Sequence, residues 1–148
     1  MEPVAKQTPP PDSPVEASEH AMTKASAPSP ESEPRLVDPD ALRRLAADVG
    51  AEGVAALLQA FHAELTRRQA ALAVALAGRD YAALAAVTHA IKGSALTFGA
   101  DAVGIWASRA NAAARLAQPD AWEPAERVLA LLDPTLAAVA ELAREATP

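Results

Sequence analysis

The spacing of apolar residues over positions 36–148 is the feature that most restricts the fold of this chain. Apolar side chains recur there every three or four residues, which is the period of an amphipathic α-helix. The longest such stripe comprises Val54, Leu57, Leu58, Phe61, Leu65, Leu72 and Leu76. Of all residues, 51% are hydrophobic but only 3% are aromatic, which favours closely packed helices over a β-sandwich. The pattern predicts an all-α fold.

Short turn signals divide this region into helices. The predicted helices cover about residues 41–49, 52–77, 81–98, 101–117 and 121–145. Asp38 or Asp40 is the expected cap of the first helix, and Gly50 its end. Asp80 is the expected cap of the helix that starts at residue 81. Gly99 is at the position where a glycine in the left-handed conformation would end that helix.

The connections between these helices are short, which makes neighbouring helices antiparallel. We therefore predict an antiparallel up-down four-helix bundle with a short extra N-terminal helix. The helix over 101–117 is expected to run through Val103, Trp106 and Ala110. Pro134 lies inside the last predicted helix and lacks a backbone N–H, so we expect a kink there or a restart capped by Asp133.

Residues 1–35 differ sharply from the rest of the chain. They hold eight of the 13 prolines, and Val4 and Val15 are their only large aliphatic type. Such a stretch buries too little apolar area to offset the entropy lost on ordering. We predict a disordered tail over 1–35, more consistent with a spacer than with a ligand for a partner domain, and one helical domain over 36–148.

Composition excludes several classes of function. The chain has no cysteine, which removes disulfides, thiol catalysis and iron–sulfur clusters. The net charge of -6 argues against nucleic-acid binding, and no apolar run has the length of a membrane span. No signal peptide is visible, and the histidines and carboxylates show no recognisable metal-ligand spacing. We expect a soluble cytoplasmic monomer that binds no metal.

His89 is the residue that best suits a chemical role. It stands about 160° around the helix from both Val87 and Ile91, so it is expected to face solvent. Small residues share or border this face, namely Ala82, Ala85, Ala86, Gly93 and Ser94. Lys92 follows one turn later and is the one lysine within residues 36–148. A surface histidine without a role is the alternative interpretation.

The surroundings of His89 limit the chemistry that it can perform. A hydrolase needs an orienting group and an oxyanion site, and the sequence indicates neither. A neutral imidazole is a competent nucleophile near pH 7, and a neighbouring ammonium is a good countercharge for phosphate. An exposed imidazole beside Lys92 therefore suits the transient holding of a phosphoryl group.

The segment from Thr88 to Ala100 resembles the signature of histidine-containing phosphotransfer (HPt) domains. The matching positions are His89, Lys92, Gly93, Ser94, Gly99 and Ala100. The same segment is similar to the phosphorylatable N-terminal domain of chemotaxis histidine kinases. The fold-level resemblance covers about residues 38–145. One departure is the pair Ala110-Asn111, where family members often have Leu-Glu.

The resemblance implies a role for each matching residue. His89 would be the phosphoacceptor, and Lys92 would help to neutralise the phosphoryl group. Gly93 would leave room for an incoming receiver domain, Ser94 would be a small packing or hydrogen-bonding residue, and Gly99 would stop the helix. The small residues Ala82, Ala85 and Ala86 leave a bare surface beside His89 that another protein could approach, and together with Gly93 and Ser94 they form the predicted binding surface.

The expected function is that of a phosphorelay intermediate. His89 would accept a phosphoryl group from the aspartate of a response-regulator receiver domain and pass it to another receiver. The chain would not be an enzyme and would need no cofactor, because the resemblance implies that the receiver supplies Mg²⁺. A hybrid histidine kinase is a further possible partner.

Two alternatives stay open from the sequence. A kinase catalytic domain in another protein could phosphorylate His89 directly, as in chemotaxis kinases. The chain could also be a non-phosphorylated helical module that only binds receivers. No nucleotide-binding pattern of the GxxxxGK[ST] type is present, so self-phosphorylation from ATP is not expected.

Overall fold

A computed structural model of the chain describes residues 35–147, which contain four α-helices and no strand. The helices are α1 (Pro39–Gly78), α2 (Tyr81–Phe98), α3 (Asp101–Arg115) and α4 (Trp122–Ala146), with a 3₁₀ turn over Pro119–Ala121. Each helix packs on its neighbour in the chain, and α4 closes the bundle against α1. The all-α four-helix prediction is confirmed. The disordered tail predicted over residues 1–35 lies outside the described residues except for Arg35.

The predicted short leading helix is the first part of α1. Asp38 caps it, since the backbone N–H of Asp40 donates to the Asp38 carboxylate over 3.0 Å, and Pro39 occupies the first helical position, where its missing N–H costs nothing. Gly50 interrupts the helical backbone with φ 80° and ψ 168°. The break therefore falls at the predicted residue, and α1 continues beyond it to Gly78.

Helix α2 begins and ends at the predicted residues. The Asp80 side chain accepts from the backbone N–H of Ala83 over 3.1 Å, and Gly99 adopts the left-handed conformation with φ 69°. A Cβ at Gly99 would lie 2.7 Å from that of Ala41. The start of α1 therefore packs directly on the turn between α2 and α3.

Two backbone hydrogen bonds fasten the same region. The N–H of Asp38 donates to the Gly99 carbonyl over 2.8 Å, and the N–H of Ala102 donates to the Arg35 carbonyl over 3.0 Å. The segment that precedes α1 is thus tied to the turn that ends α2. The C-terminal end of α2 is therefore held against the start of α1.

Several sequence predictions need correction. Helix α3 ends at Arg115 rather than near Ala117, which has φ 52°. Helix α4 runs unbroken through Pro134, so the predicted restart at Asp133 is wrong. Asp133 instead accepts a hydrogen bond from the Gln69 side chain of α1 over 2.8 Å. Pro134 is tolerated on the exposed side of α4.

One hydrophobic core runs through the bundle. Its largest fully buried apolar side chains are Leu58, Leu65, Leu72, Leu84, Ile91, Val103, Val128, Leu132 and Val139. Phe61 and Phe98 stack with their ring centroids 4.2 Å apart. Helix α3 contributes mostly alanine to the core, which lets α2 and α3 approach closely. No helix within residues 35–147 is both long enough and apolar enough to cross a membrane.

Trp106 lies at the edge of the core. It is half-buried on the side of α3 that faces α4. The guanidinium carbons of Arg109 and Arg127 lie 4.6 and 4.7 Å from the centre of its ring. Such cation–π contacts suit an indole at the surface, so Trp106 joins α3 to α4 at the edge of the core.

Candidate functional site

Helix α2 presents an exposed stripe on the side opposite its buried residues. The stripe consists of Ala82, Ala86, His89, Gly93 and Leu96. Their spacing of four, three, four and three residues keeps all five on one face of the helix. The imidazole of His89 is exposed, as the position of the residue relative to Val87 and Ile91 predicts.

His89 lines an open pocket between α2 and α3. The pocket has a volume of about 340 Å³, and Ala85 and Ala86 form its α2 side together with His89. Asn111 and Arg115 line it from α3. The alanines leave the ring approachable, since they present only methyl groups beside it. The structure therefore brings His89 together with two α3 residues that the sequence did not assign to the site.

Asn111 fastens the turn of α2 that precedes His89. It is 5% exposed, and its side-chain amide donates to the Ala85 carbonyl over 2.7 Å. In an α-helix the carbonyl of residue 85 also accepts the backbone N–H of residue 89. The buried hydroxyl of Thr88 donates to the Leu84 carbonyl over 2.7 Å and lies 3.4 Å from the Asn111 amide. These contacts fix the backbone beneath the imidazole.

Two cationic side chains accompany His89. Lys92 lies one turn further along α2 and is half-buried, and Arg115 is the exposed last residue of α3. Neither forms an ion pair with another residue of the range 35–147. From Tyr81 to Arg115 the chain has three basic residues and one acidic residue, in a protein of net charge -6. The site is suited to an anion.

The other predicted surface residues divide into two groups. Ala82 and Gly93 lie on the exposed stripe, and a Cβ at Gly93 would meet nothing within 4 Å. Ser94 is half-buried in a different groove, between α1 and α2, together with Phe61 and Arg67. The structure therefore places Ser94 outside the pocket that His89 lines.

The remaining histidines have different surroundings. His62 is half-buried in a groove between α1 and α4, beside Arg144. His20 lies outside the described residues. Within residues 35–147, no three His, Asp or Glu side chains are grouped so that they could hold a metal ion.

Two carboxylates have displaced pKa values. The hydrogen bond from Arg68 lowers the pKa of Glu64 on α1, although burial opposes this shift. Burial raises the pKa of Asp101 at the start of α3, and the neighbouring charge of Asp38 adds to the effect, while Arg35 opposes it. Neither carboxylate lines the His89 pocket, so both bear on stability rather than on the chemistry of the imidazole.

Comparisons with known proteins agree with this fold. Residues 56–145, more than half of the chain, match the family model of the Hpt domain. Among solved structures, histidine-containing phosphotransfer protein B from Pseudomonas aeruginosa PAO1 is similar with a TM-score of 0.63 and 22% sequence identity. That similarity covers 76% of this chain and 95% of the other chain. No curated protein matches this sequence significantly.

Proposed function

Because the chain belongs to the Hpt domain family and is a phosphotransfer intermediate of phosphorelays, we propose that His89 carries the phosphoryl group. The observation that supports this assignment is an exposed imidazole in an open pocket with Arg115, one helical turn from Lys92. His62, in contrast, is half-buried beside a guanidinium that is already paired with Glu141.

The proposed chemistry is a reversible phosphoryl transfer between His89 and a receiver aspartate. A lone pair on one imidazole nitrogen attacks the phosphorus of the aspartyl phosphate. The N–P bond forms while the P–O bond to the carboxylate breaks, and the carboxylate leaves with the electron pair. The second ring nitrogen keeps its proton. The reverse reaction, on the aspartate of another receiver, releases His89.

Lys92 and Arg115 are the proposed countercharges. Phosphoryl transfer is governed largely by positioning and by neutralisation of the charge on the equatorial oxygens. The Lys92 ammonium is a mobile point charge, whereas the Arg115 guanidinium offers a planar fork that fits phosphate oxygens. Lys92 stands one helical turn from His89 on α2, and Arg115 lines the His89 pocket from α3. Cations from two helices would therefore be available to a phosphoryl group on the ring.

The receiver domain is the proposed source of the remaining catalytic groups. Mg²⁺ bound by the receiver supplies further charge neutralisation. This chain contributes an accessible nucleophile, two cations and a rigid backbone held by Asn111 and Thr88. On this proposal the chain is a carrier with little catalytic activity of its own.

The test is a labelling profile with radioactive phosphate. The wild-type chain, His89→Gln and His62→Gln are incubated in parallel with phosphorylated receivers and with a kinase core plus ATP. We expect acid-labile label on the wild type and on His62→Gln, delivered by receivers, and none on His89→Gln. Label that persists on His89→Gln would rule out the assignment. If the kinase core labels the wild type and no receiver does, the phosphoryl donor is a kinase rather than a receiver.

A further inference from the structure

Leu96 is an exposed large apolar residue in the immediate neighbourhood of His89. Four large apolar residues within 35–147 are exposed: Val49, Val74, Leu96 and Leu116, with exposed fractions of 46%, 72%, 68% and 71%. Of these, Leu96 is the one that belongs to the stripe of α2 that carries His89. Nothing in the packing of the bundle requires leucine there, because the side chain contributes little to the core.

The geometry of α2 sets the relation between Leu96 and His89. Seven residues of helix place Leu96 about 10 Å further along the axis and only about 20° around it. Gly93 lies between them without a side chain, and the space beside it is open. The imidazole and the leucine therefore project from the same side of α2, with a gap between them.

Any receiver that reaches His89 must also cover Leu96. A stable protein interface buries about 800 Å² on each partner, which corresponds to a disc of radius about 16 Å. Leu96, at about 10 Å, falls inside a disc centred on His89 whichever way the partner is turned. On the opposite side of His89 the stripe offers only Ala82 and Ala86. Leu96 is thus the one stripe residue large enough to fill a depression on the partner.

We propose that Leu96 is the apolar anchor of receiver docking, and that it inserts into an apolar depression beside the phosphorylatable aspartate of the receiver. This inference rests on the proposed function of His89. The side chain is too far from the imidazole to contact the phosphoryl group, so it acts on the affinity of the complex and not on the transfer step. Burial of an exposed leucine removes apolar surface from water and so favours binding.

The experiment compares Leu96→Ala with Leu96→Met, which keeps the apolar volume, and with Val74→Ala, which removes an equally exposed side chain from α1. Receiver affinity and transfer rate are measured with the receiver that takes phosphate from the wild type fastest. Leu96→Ala should raise Kd at least about tenfold, given the apolar surface removed, and leave the transfer rate at saturating receiver unchanged. Leu96→Met and Val74→Ala should stay within about twofold of the wild type, as surface changes outside a contact usually do.

Phosphoramidate, a small-molecule phosphoryl donor, separates docking from chemistry. It should label His89 equally in the wild type and in Leu96→Ala, because no docking is needed. If the wild type transfers phosphate to a receiver while Leu96→Ala binds and transfers equally well, the anchor is refuted and the function of His89 stands. If the wild type transfers to no receiver, both proposals fall.

Discussion

His89 and His62 show how far the surroundings of a residue decide its use. Both lie on helices of the same bundle, and both have a basic residue nearby. Arg144 beside His62 is paired with Glu141, whereas Lys92 and Arg115 beside His89 have no such partner within residues 35–147. An unpaired cation is available to an incoming anion. The difference at the residue scale is therefore one of available charge rather than of residue type.

Replacing either cation should impair phosphoryl transfer. Lys92→Ala and Arg115→Ala should each reduce the transfer rate or the yield of phosphohistidine by roughly tenfold, the usual effect of losing one charge-assisted contact. Receiver affinity should change only modestly. The measurement is a time course of transfer from a phosphorylated receiver. Arg144→Ala on α4 is the matched control, and an equal loss there would indicate a general charge effect.

Gly93 should matter for docking more than for folding. Nothing lies within 4 Å of a Cβ at this position, so Gly93→Ala should stabilise the chain by up to about 1 kcal/mol through helix propensity. Gly93→Leu should fold as well, but its side chain fills the gap between His89 and Leu96. We expect slow transfer and weak receiver binding, measured on protein whose melting temperature is at least that of the wild type. Transfer at the wild-type rate would show that the receiver does not use this face.

At the scale of elements, the turn between α2 and α3 sets the position of the site. Gly99 ends α2, and the register of α3 that follows places Asn111 against the Ala85 carbonyl. Arg115 then reaches the same pocket one turn later. The start of α1 packs on this turn through Ala41 and Asp38. The geometry around His89 therefore depends on a turn at the far end of α2.

Two glycines with positive φ, Gly99 in this turn and Gly50 inside α1, allow the demands of the turn to be measured. Gly99→Ala should destabilise the chain most, because φ is 69° and its Cβ would lie 2.7 Å from that of Ala41. Gly50→Ala has a positive φ of 80° but open surroundings, so it should cost only the backbone strain of about 1–3 kcal/mol. Urea unfolding of both variants measures the difference. An equal cost at the two positions would show that the contact between α1 and the turn yields without penalty.

At the scale of the whole molecule, the helical unit needs the chain from Arg35 onward. The Arg35 carbonyl accepts from Ala102, and Asp38 both caps α1 and donates to Gly99. Removal of residues 1–34 should therefore shift the melting temperature by no more than a degree or two. Removal of residues 1–38 deletes the cap and both backbone bonds, and should lower it by several degrees. A large loss from the shorter truncation would show that residues 1–34 support the fold.

The two shifted carboxylates predict opposite pH trends in stability. The raised pKa of Asp101 means that the folded state disfavours the ionised carboxylate. Asp101 therefore destabilises the fold increasingly as the pH rises above the pKa that this residue has in the unfolded chain. The stability of Asp101→Asn relative to the wild type should therefore increase from acidic to neutral pH.

The lowered pKa of Glu64 contributes stability at pH values above the pKa that this residue has in the unfolded chain, and this stability is lost on acidification. Glu64→Gln should be less stable than the wild type at neutral pH and equally stable in acid. Thermal melts across this range test both trends, and parallel curves would contradict them.

The sequence by itself determined the local features of this protein. Apolar residues at intervals of three and four predicted the helices, and Asp80 and Gly99 predicted the bounds of α2, because caps and stops act within one helical turn. The same short-range geometry predicted that His89 faces solvent, since its neighbours at 87 and 91 are apolar. The segment from Thr88 to Ala100 was enough to indicate the family.

Only the tertiary structure decided which residues of other helices meet His89. Asn111 and Arg115 are more than 20 residues away along the chain, and their place depends on the register between α2 and α3, which Gly99 and the contacts of α1 fix in three dimensions. The course of α4 through Pro134 was likewise decided by packing, because burial of Leu132, Leu136 and Val139 outweighs one missing hydrogen bond. Local pattern specifies each helix, but contacts between helices depend on how the whole core fills its volume.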